Sequence, residues 1–336
     1  VGTATGQQVT SQQTISSDGR FVVFSSKNTS GPPEALFSRL LLQDTCLGST
    51  NCTPSTTLVH GNAGIGPVSF FALSTNGRFT AYVYTPPAGP GSNLTFVSDV
   101  CLGASGCTSS IQLVSVANDG TPANGPSGAP NGDTTAMTPD GRFIVFSSSA
   151  TNLSPAANTG AFFVYVRDTC AGALACTPST SLISIDSQGA PISGSQSPSI
   201  SDDGRFVAFF APTGVFVRDT CRGAASCSPS TLLVAANGSF PAISGNGRFV
   251  AFVATVTSQT GVFVSDTCFG ALNCTPSTVQ VLVAADGTPG NGTIFGNVAV
   301  TQGGKLVAFA SNATNLDPST PNSSNKFQIF LAPSRF

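Results

Sequence analysis

The chain has 336 residues, of which only 8% are charged, with a formal net charge of −2, 36 Gly, 23 Pro, 10 Cys and no Trp. Ordinary domains carry roughly 25% charged residues, and a nucleic-acid partner would need a basic track to neutralise phosphates, so that partner is excluded. Regular Phe, Val, Ile and Leu runs exclude disorder, and no apolar run is long enough to cross a bilayer as a helix.

The first element, Ile15 to Phe24 (ISSDGRFVVF), returns from Leu73 (LSTNGRFTAY), Met137 (MTPDGRFIVF), Ile200 (ISDDGRFVAF), Ile243 (ISGNGRFVAF) and Val300 (VTQGGKLVAF). Each copy reads strand, tight turn, strand. Asp18-Gly19, Asn76-Gly77, Asp140-Gly141, Asp203-Gly204 and Asn246-Gly247 predict two-residue hairpin turns with positive φ. The runs after the turns, such as Phe143-Ile144-Val145-Phe146, are apolar without alternation and predict strands covered on both faces.

A second block follows in five copies, Leu40–Val59, Thr95–Val114, Val164–Ile183, Val215–Val234 and Val262–Val283. It reads as a third strand, a cysteine-bounded connection and a fourth strand, and Gly/Pro/Asn-rich links lead on to the next unit. Pro and Gly punctuate too densely for a helix of ordinary length. Four antiparallel strands repeated six times predict an all-β, six-bladed β-propeller, a single domain over 1–336. Sharing burial among neighbouring blades lets a chain of this length hold together without one central core.

The S-x-D-G-R-F-V-A-F core resembles the repeat of TolB-type (WD40-like) six-bladed propellers, and the resemblance covers the chain once per blade. It implies the propeller fold. It implies no single activity, because the same blade serves in assembly proteins, in the lids of peptidases and in surface proteins. The cysteine-bounded connection lies outside that general pattern and marks a subgroup.

The ten cysteines form five C-x5-C pairs, Cys46/Cys52, Cys101/Cys107, Cys170/Cys176, Cys221/Cys227 and Cys268/Cys274. Zinc sites use shorter spacings and gather four ligands, so local disulfides are expected, each stabilising by ~2 kcal/mol through a short loop. They imply an oxidising compartment, periplasm, cell surface or medium, and a mature form from which a signal peptide has been removed. The sixth unit has a third strand at Phe327–Leu331 but no cysteine pair. Residues Val1 to Thr5 resemble a fourth-strand end, so the termini are expected to meet there in a 3+1 closure.

Arg20, Arg78, Arg142, Arg205, Arg248 and Lys305 share one repeat position, and Asp44, Asp99, Asp168, Asp219 and Asp266 share another. An Arg–Asp bridge within each blade is expected, setting register more than stability. A functional site would break the repeat.

Little else carries chemistry. His60 is the only imidazole available as a base, and it reads as an exposed bystander at the end of a fourth strand. Glu34 is the only glutamate, which opposes a paired-carboxylate glycosidase; there is no G-x-S-x-G elbow and no phosphate loop. No catalytic, cofactor-binding or metal-binding residue is assigned. Asn-x-Ser/Thr triplets at Asn28, Asn51, Asn93, Asn152, Asn237, Asn273, Asn291, Asn312 and Asn322 are candidate sites for surface glycans. The expected function is a non-enzymatic, exported scaffold that contacts other proteins or copies of itself, with terminal-strand exchange as a route to filaments. The alternative is a ligand- or glycan-binding face at the departures from the repeat, Lys27–Phe37, Thr85–Asn93 and His60. A hydrolase or lyase ranks last.

Overall fold

The computed structural model describes residues 7–16, 18–28, 38–61, 68–84, 93–128, 135–256, 259–317 and 326–336. These residues form six antiparallel sheets and no helix, the six-bladed β-propeller fold. The first sheet is β1 (Gln7–Ile15), β2 (Phe21–Asn28), β3 (Ser38–Asp44) and β4 (Ser55–His60). The second is β5 (Val68–Leu73), β6 (Phe79–Tyr84), β7 (Leu94–Asp99) and β8 (Ser110–Leu113). The third is β9 (Ala136–Met137), β10 (Phe143–Ser148), β11 (Phe163–Asp168) and β12 (Ser179–Leu182). The fourth is β13 (Gln196–Ile200), β14 (Phe206–Ala211), β15 (Gly214–Asp219) and β16 (Ser230–Ala235), and the fifth is β17 (Gly238–Ile243), β18 (Phe249–Val256), β19 (Gln259–Asp266) and β20 (Ser277–Gln280). The sixth holds three described strands, β21 (Ile294–Val300), β22 (Leu306–Ser311) and β23 (Gln328–Pro333). The expected closure by Val1 to Thr5 lies outside the described residues.

The chain divides into two compact units, Val1–Leu182 with the first three sheets and Ile183–Phe336 with the last three. Within each unit, apolar side chains meet between consecutive sheets. Phe206, Ala208, Val215 and Val217 of the fourth sheet share a cluster with Ile243, Val250 and Phe252 of the fifth. Residues Phe143 to Ser148 are all buried, as the unalternating run requires.

Neighbouring sheets are also keyed by one repeated contact. In four sheets the phenylalanine that opens the second strand packs on the turn glycine of the following sheet: Phe21 on Gly77, Phe79 on Gly141, Phe206 on Gly247 and Phe249 on Gly304. A Cβ on Gly77 would lie 2.6 Å from Phe21 Cγ, so only glycine admits the ring. Backbone bonds join the same turns, Thr75 N to Pro139 O (3.1 Å), Asp202 N to Gly245 O (2.9 Å) and Asn246 N to Gln302 O (3.2 Å).

The turns differ from the two-residue form expected. Ile200 pairs Val207, Ser201 N donates to Phe206 O, and Gly204 N donates to Ser201 O. Of the Asp203-Gly204 dipeptide only the glycine has positive φ, at 73°. The reason is the Asp203 side chain, whose Oδ1 accepts from Ser201 Oγ (2.6 Å) and Arg205 N (2.9 Å), while Ser201 Oγ accepts from Phe206 N. This Asx-type cap supports a longer loop. Asn76 and Asn246 accept the same pair of bonds, so the role needs an oxygen and not a charge.

Candidate functional site

Each of the first five sheets carries a clamp where its second strand begins and its third strand ends. The Phe–Asp register, Phe21↔Asp44 in the first sheet and Phe206↔Asp219 in the fourth, sets the preceding arginine beside the carboxylate. Arg20 Nε and Nη2 donate to Asp44 Oδ1 and Oδ2 at 2.8 and 2.7 Å, and Arg205 makes the same two bonds to Asp219 at 2.8 and 2.7 Å. Arg78–Asp99, Arg142–Asp168 and Arg248–Asp266 repeat this forked geometry. The guanidinium carbon of Arg20 stands 4.7 Å from the centroid of Phe21, the ring that keys the next sheet, and the other four clamps match it.

The five expected disulfides are formed, each between cysteines six positions apart. The first cysteine of each pair has φ between 58° and 63°, and its N–H donates to the clamp aspartate, as Cys46 N does to Asp44 Oδ1 at 2.8 Å. The disulfide loop is therefore tied to the sheet through the carboxylate. The Arg20 guanidinium holds the Asp44 carboxyl below the ordinary carboxylate range, with the Cys46 amide adding to it. At Asp219 burial pushes upward most strongly, yet Arg205 and the Cys221 amide outweigh it and the pKa still falls. Asp44, Cys46 and Cys52, and their four counterparts, lie close enough to suggest a metal centre. Their sulfurs are bonded to each other and their carboxylates are held by arginine, so the donors are committed to structure.

The sixth sheet breaks this pattern. Leu306 pairs Pro333, so the aspartate position is proline, and Lys305 stands where the arginine would be. Ser334 N donates to Lys305 O as Thr45 N does to Arg20 O, which fixes the correspondence. The carboxylate is gone, and the forked guanidinium has given way to a lysine ammonium.

His60 requires a correction. It is not an exposed bystander: partly buried, it packs with ring centroids 5.0 Å from Tyr82 and 4.7 Å from Tyr84, and its Nδ1 is 3.0 Å from Tyr82 Oη. Burial lowers its pKa, leaving the imidazole neutral at neutral pH. At the equivalent positions Ser115 and Ser184 are fully buried and Ala235 partly so. Glu34 lies outside the described residues, as do the greater parts of the Lys27–Phe37 and Thr85–Asn93 segments.

A polar cleft of about 340 Å³ is lined by Gln259, Thr260, Asn291, Thr293, Asn312 and Thr314. Its asparagines are engaged internally: Asn291 Nδ2 donates to Thr314 Oγ1 (2.7 Å), Thr314 N to Asn291 Oδ1 (2.8 Å) and Thr293 N to Asn312 Oδ1 (2.7 Å). Asn124 and Thr151 repeat both bonds in the third sheet, which marks them as a loop brace. Among the glycan candidates, Asn152 Nδ2 is likewise spent on Pro122 O, whereas Asn51, Asn237 and Asn273 are exposed at turns with φ of 58°, 60° and 53°.

The largest departure is an apolar sheet face. In β23, Ile329 is 79% and Leu331 66% exposed, while Val215 and Val217, at the same register in the fourth sheet, are 0% exposed. The equivalents Leu40 and Leu42 in the first sheet and Val262 and Val264 in the fifth are also buried. Phe295, Phe327 and Leu306 extend the face, and the Phe295 and Phe327 rings pack 5.2 Å apart. Sequence reasoning missed this surface because every residue in it is of ordinary core type.

No family model matches the chain, and no curated protein matches it. Solved structures of TolB-like propellers are similar in fold at low identity. TolB from Acinetobacter baumannii is 14% identical, with a TM-score of 0.46 over 98% of this chain and 80% of that one. A putative TolB from Agrobacterium tumefaciens is 13% identical, with a TM-score of 0.47 over 82% and 80%. An oligogalacturonate lyase from Vibrio parahaemolyticus is 10% identical, with a TM-score of 0.46 over 79% and 67%.

Proposed function

We propose that the chain is an exported, non-enzymatic scaffold that works through contacts with other proteins at the cell surface or in the medium. The observation that carries this reading is the commitment of the repeated chemical groups to structure: five arginines and five aspartates hold one another, and all ten cysteines are disulfide-bonded. The five disulfides fit an oxidising, extracytoplasmic compartment. The charges support the same reading, because the clamp arginines and aspartates are occupied with one another and the sole histidine is packed among tyrosines.

The test is negative-stain imaging of envelope and medium fractions from the native source, with the chain located by antibody. The protein is expected within repeating or mixed assemblies. Recovery solely as free single particles in every fraction refutes the scaffold.

A further inference from the structure

Independently of the scaffold reading, we propose that the cavity between the second and third sheets is a binding site for a single phenyl ring. The chain's own repeat defines the occupant. In the second, fifth and sixth sheets, one loop residue reaches back to the phenylalanine that opens the second strand of the preceding sheet. In the second and fifth it is the residue after the first cysteine: Leu102 packs into the cluster that holds Phe21, and Phe269 stacks on Phe206 with centroids 4.9 Å apart. The sixth does the same without a disulfide. Ser334 N donates to Lys305 O as Thr267 N does to Arg248 O, and Arg335 takes the left-handed φ of the missing cysteine, 67°. Phe336 then lies with its ring centroid 5.4 Å from that of Phe249.

In the third sheet the same position is Ala171, whose methyl is too short to cover the ring before it. That ring, Phe79, stays partly exposed, where Phe21 is 4%, Phe206 4% and Phe249 8% exposed. The space left over is a cavity of about 120 Å³, with Phe79, Val97 and Ala171 on its apolar side and Ser110 and Gln112 on its polar side. All of them belong to the first compact unit. An apolar cavity of about 150 Å³ takes benzene, so the volume suits one ring. The Arg78 and Asp99 side chains in the wall are spent on one another, and Thr169 Oγ1 donates to Arg142 O at 2.9 Å, so the wall offers no unpaired charge to draw an ion. A ring seated on Phe79 forms an aromatic pair and removes apolar surface from water. Ser110 and Gln112, both exposed, offer hydrogen-bonding groups to a polar substituent on that ring. An external ring there takes the place that Phe269 fills from within in the fifth sheet.

The test is fluorine NMR on the full-length chain with two probes, fluorobenzene and N-acetyl-para-fluorophenylalanine amide. Saturable broadening of a probe's resonance is expected with the wild-type chain. Binding of fluorobenzene alone supports the site with a free aromatic molecule as its ligand, and binding of the amide supports it with an aromatic side chain of a peptide. Ala171→Phe gives the third loop the residue of the fifth, and is expected to fill the cavity and weaken binding by roughly tenfold or more. Ala171→Leu, the residue of the second loop, is expected to weaken it in the same direction and supplies the test with a smaller side chain. The urea midpoint of each variant is expected to be no lower than that of the wild type, because filling a cavity stabilises, and this separates lost binding from lost folding. Leu174→Asp, on a 97% exposed side chain of the same disulfide loop, is expected to leave binding unchanged. No saturable broadening of either probe, binding that survives both changes at Ala171, or an equal loss on Leu174→Asp overturns the site. None of these outcomes bears on the scaffold, which stands or falls on assembly in native material.

Discussion

Gly77→Ala separates the two demands that the keyed sheet contact makes on its turn. Gly77 has φ of 72°, and a Cβ there would meet Phe21 Cγ at 2.6 Å and Cδ1 at 2.8 Å. Gly48 has nearly the same φ, 74°, but nothing lies within 4 Å of the position its Cβ would take. Placing alanine in the left-handed region costs roughly 1–2 kcal/mol at either site. At Gly77 the ring must also move, and it is held between the turn and the Arg20 guanidinium 4.7 Å from its centroid, so an overpacking cost of about 1–3 kcal/mol adds. Gly77→Ala is therefore expected to destabilise by about 2–5 kcal/mol and Gly48→Ala by about 1–2 kcal/mol. The assay is urea unfolding with the disulfides intact, comparing midpoints and slopes. Phe21→Leu in the Gly77→Ala background supplies a cycle, in which the pair is expected to cost less than the sum of its members because the smaller side chain clears the new methyl. Equal losses from Gly77→Ala and Gly48→Ala, or strict additivity in the cycle, would refute the claim that the phenylalanine and the glycine form one contact.

Stability is expected to fall as pH drops below about 6.5, because burial holds folded His60 below its unfolded pKa and the unfolded chain takes up the proton first; His60→Gln should flatten that part of the unfolding-midpoint profile. A second decline is expected below about pH 4, where Asp44, Asp99, Asp219 and Asp266, all depressed in the folded state, protonate first in the unfolded chain. Asp219→Asn should reduce its slope. Reduction of the native protein should release ten thiols, countable by mass-labelling, where the unreduced protein shows none. Opening one loop by Cys221→Ser with Cys227→Ser should cost ~2 kcal/mol in unfolding free energy.

The repeat explains both what the sequence discloses and what it withholds. Strand order, the five disulfides and the five Arg–Asp clamps were legible because each depends on residues of one unit, and five copies give the same answer. The turn was misread because the Asp-Gly dipeptide is only half of it; the rest is Asp203 accepting from Ser201 two residues earlier, and the recurring Ser/Thr in that place was the available sign. His60 was misread for a related reason. Its own surroundings looked like a strand end, whereas the buried Ser115 and Ser184 of sister units report on the position itself. The sixth-sheet face belongs to a different class. Ile329 and Leu331 are chemically the same choice as Val215 and Val217, so residue type does not reveal that the first two are exposed and the valines buried. The substitutions of Lys305 and Pro333 for the clamp pair were visible in the sequence, and they fall just before β22 and at the end of β23.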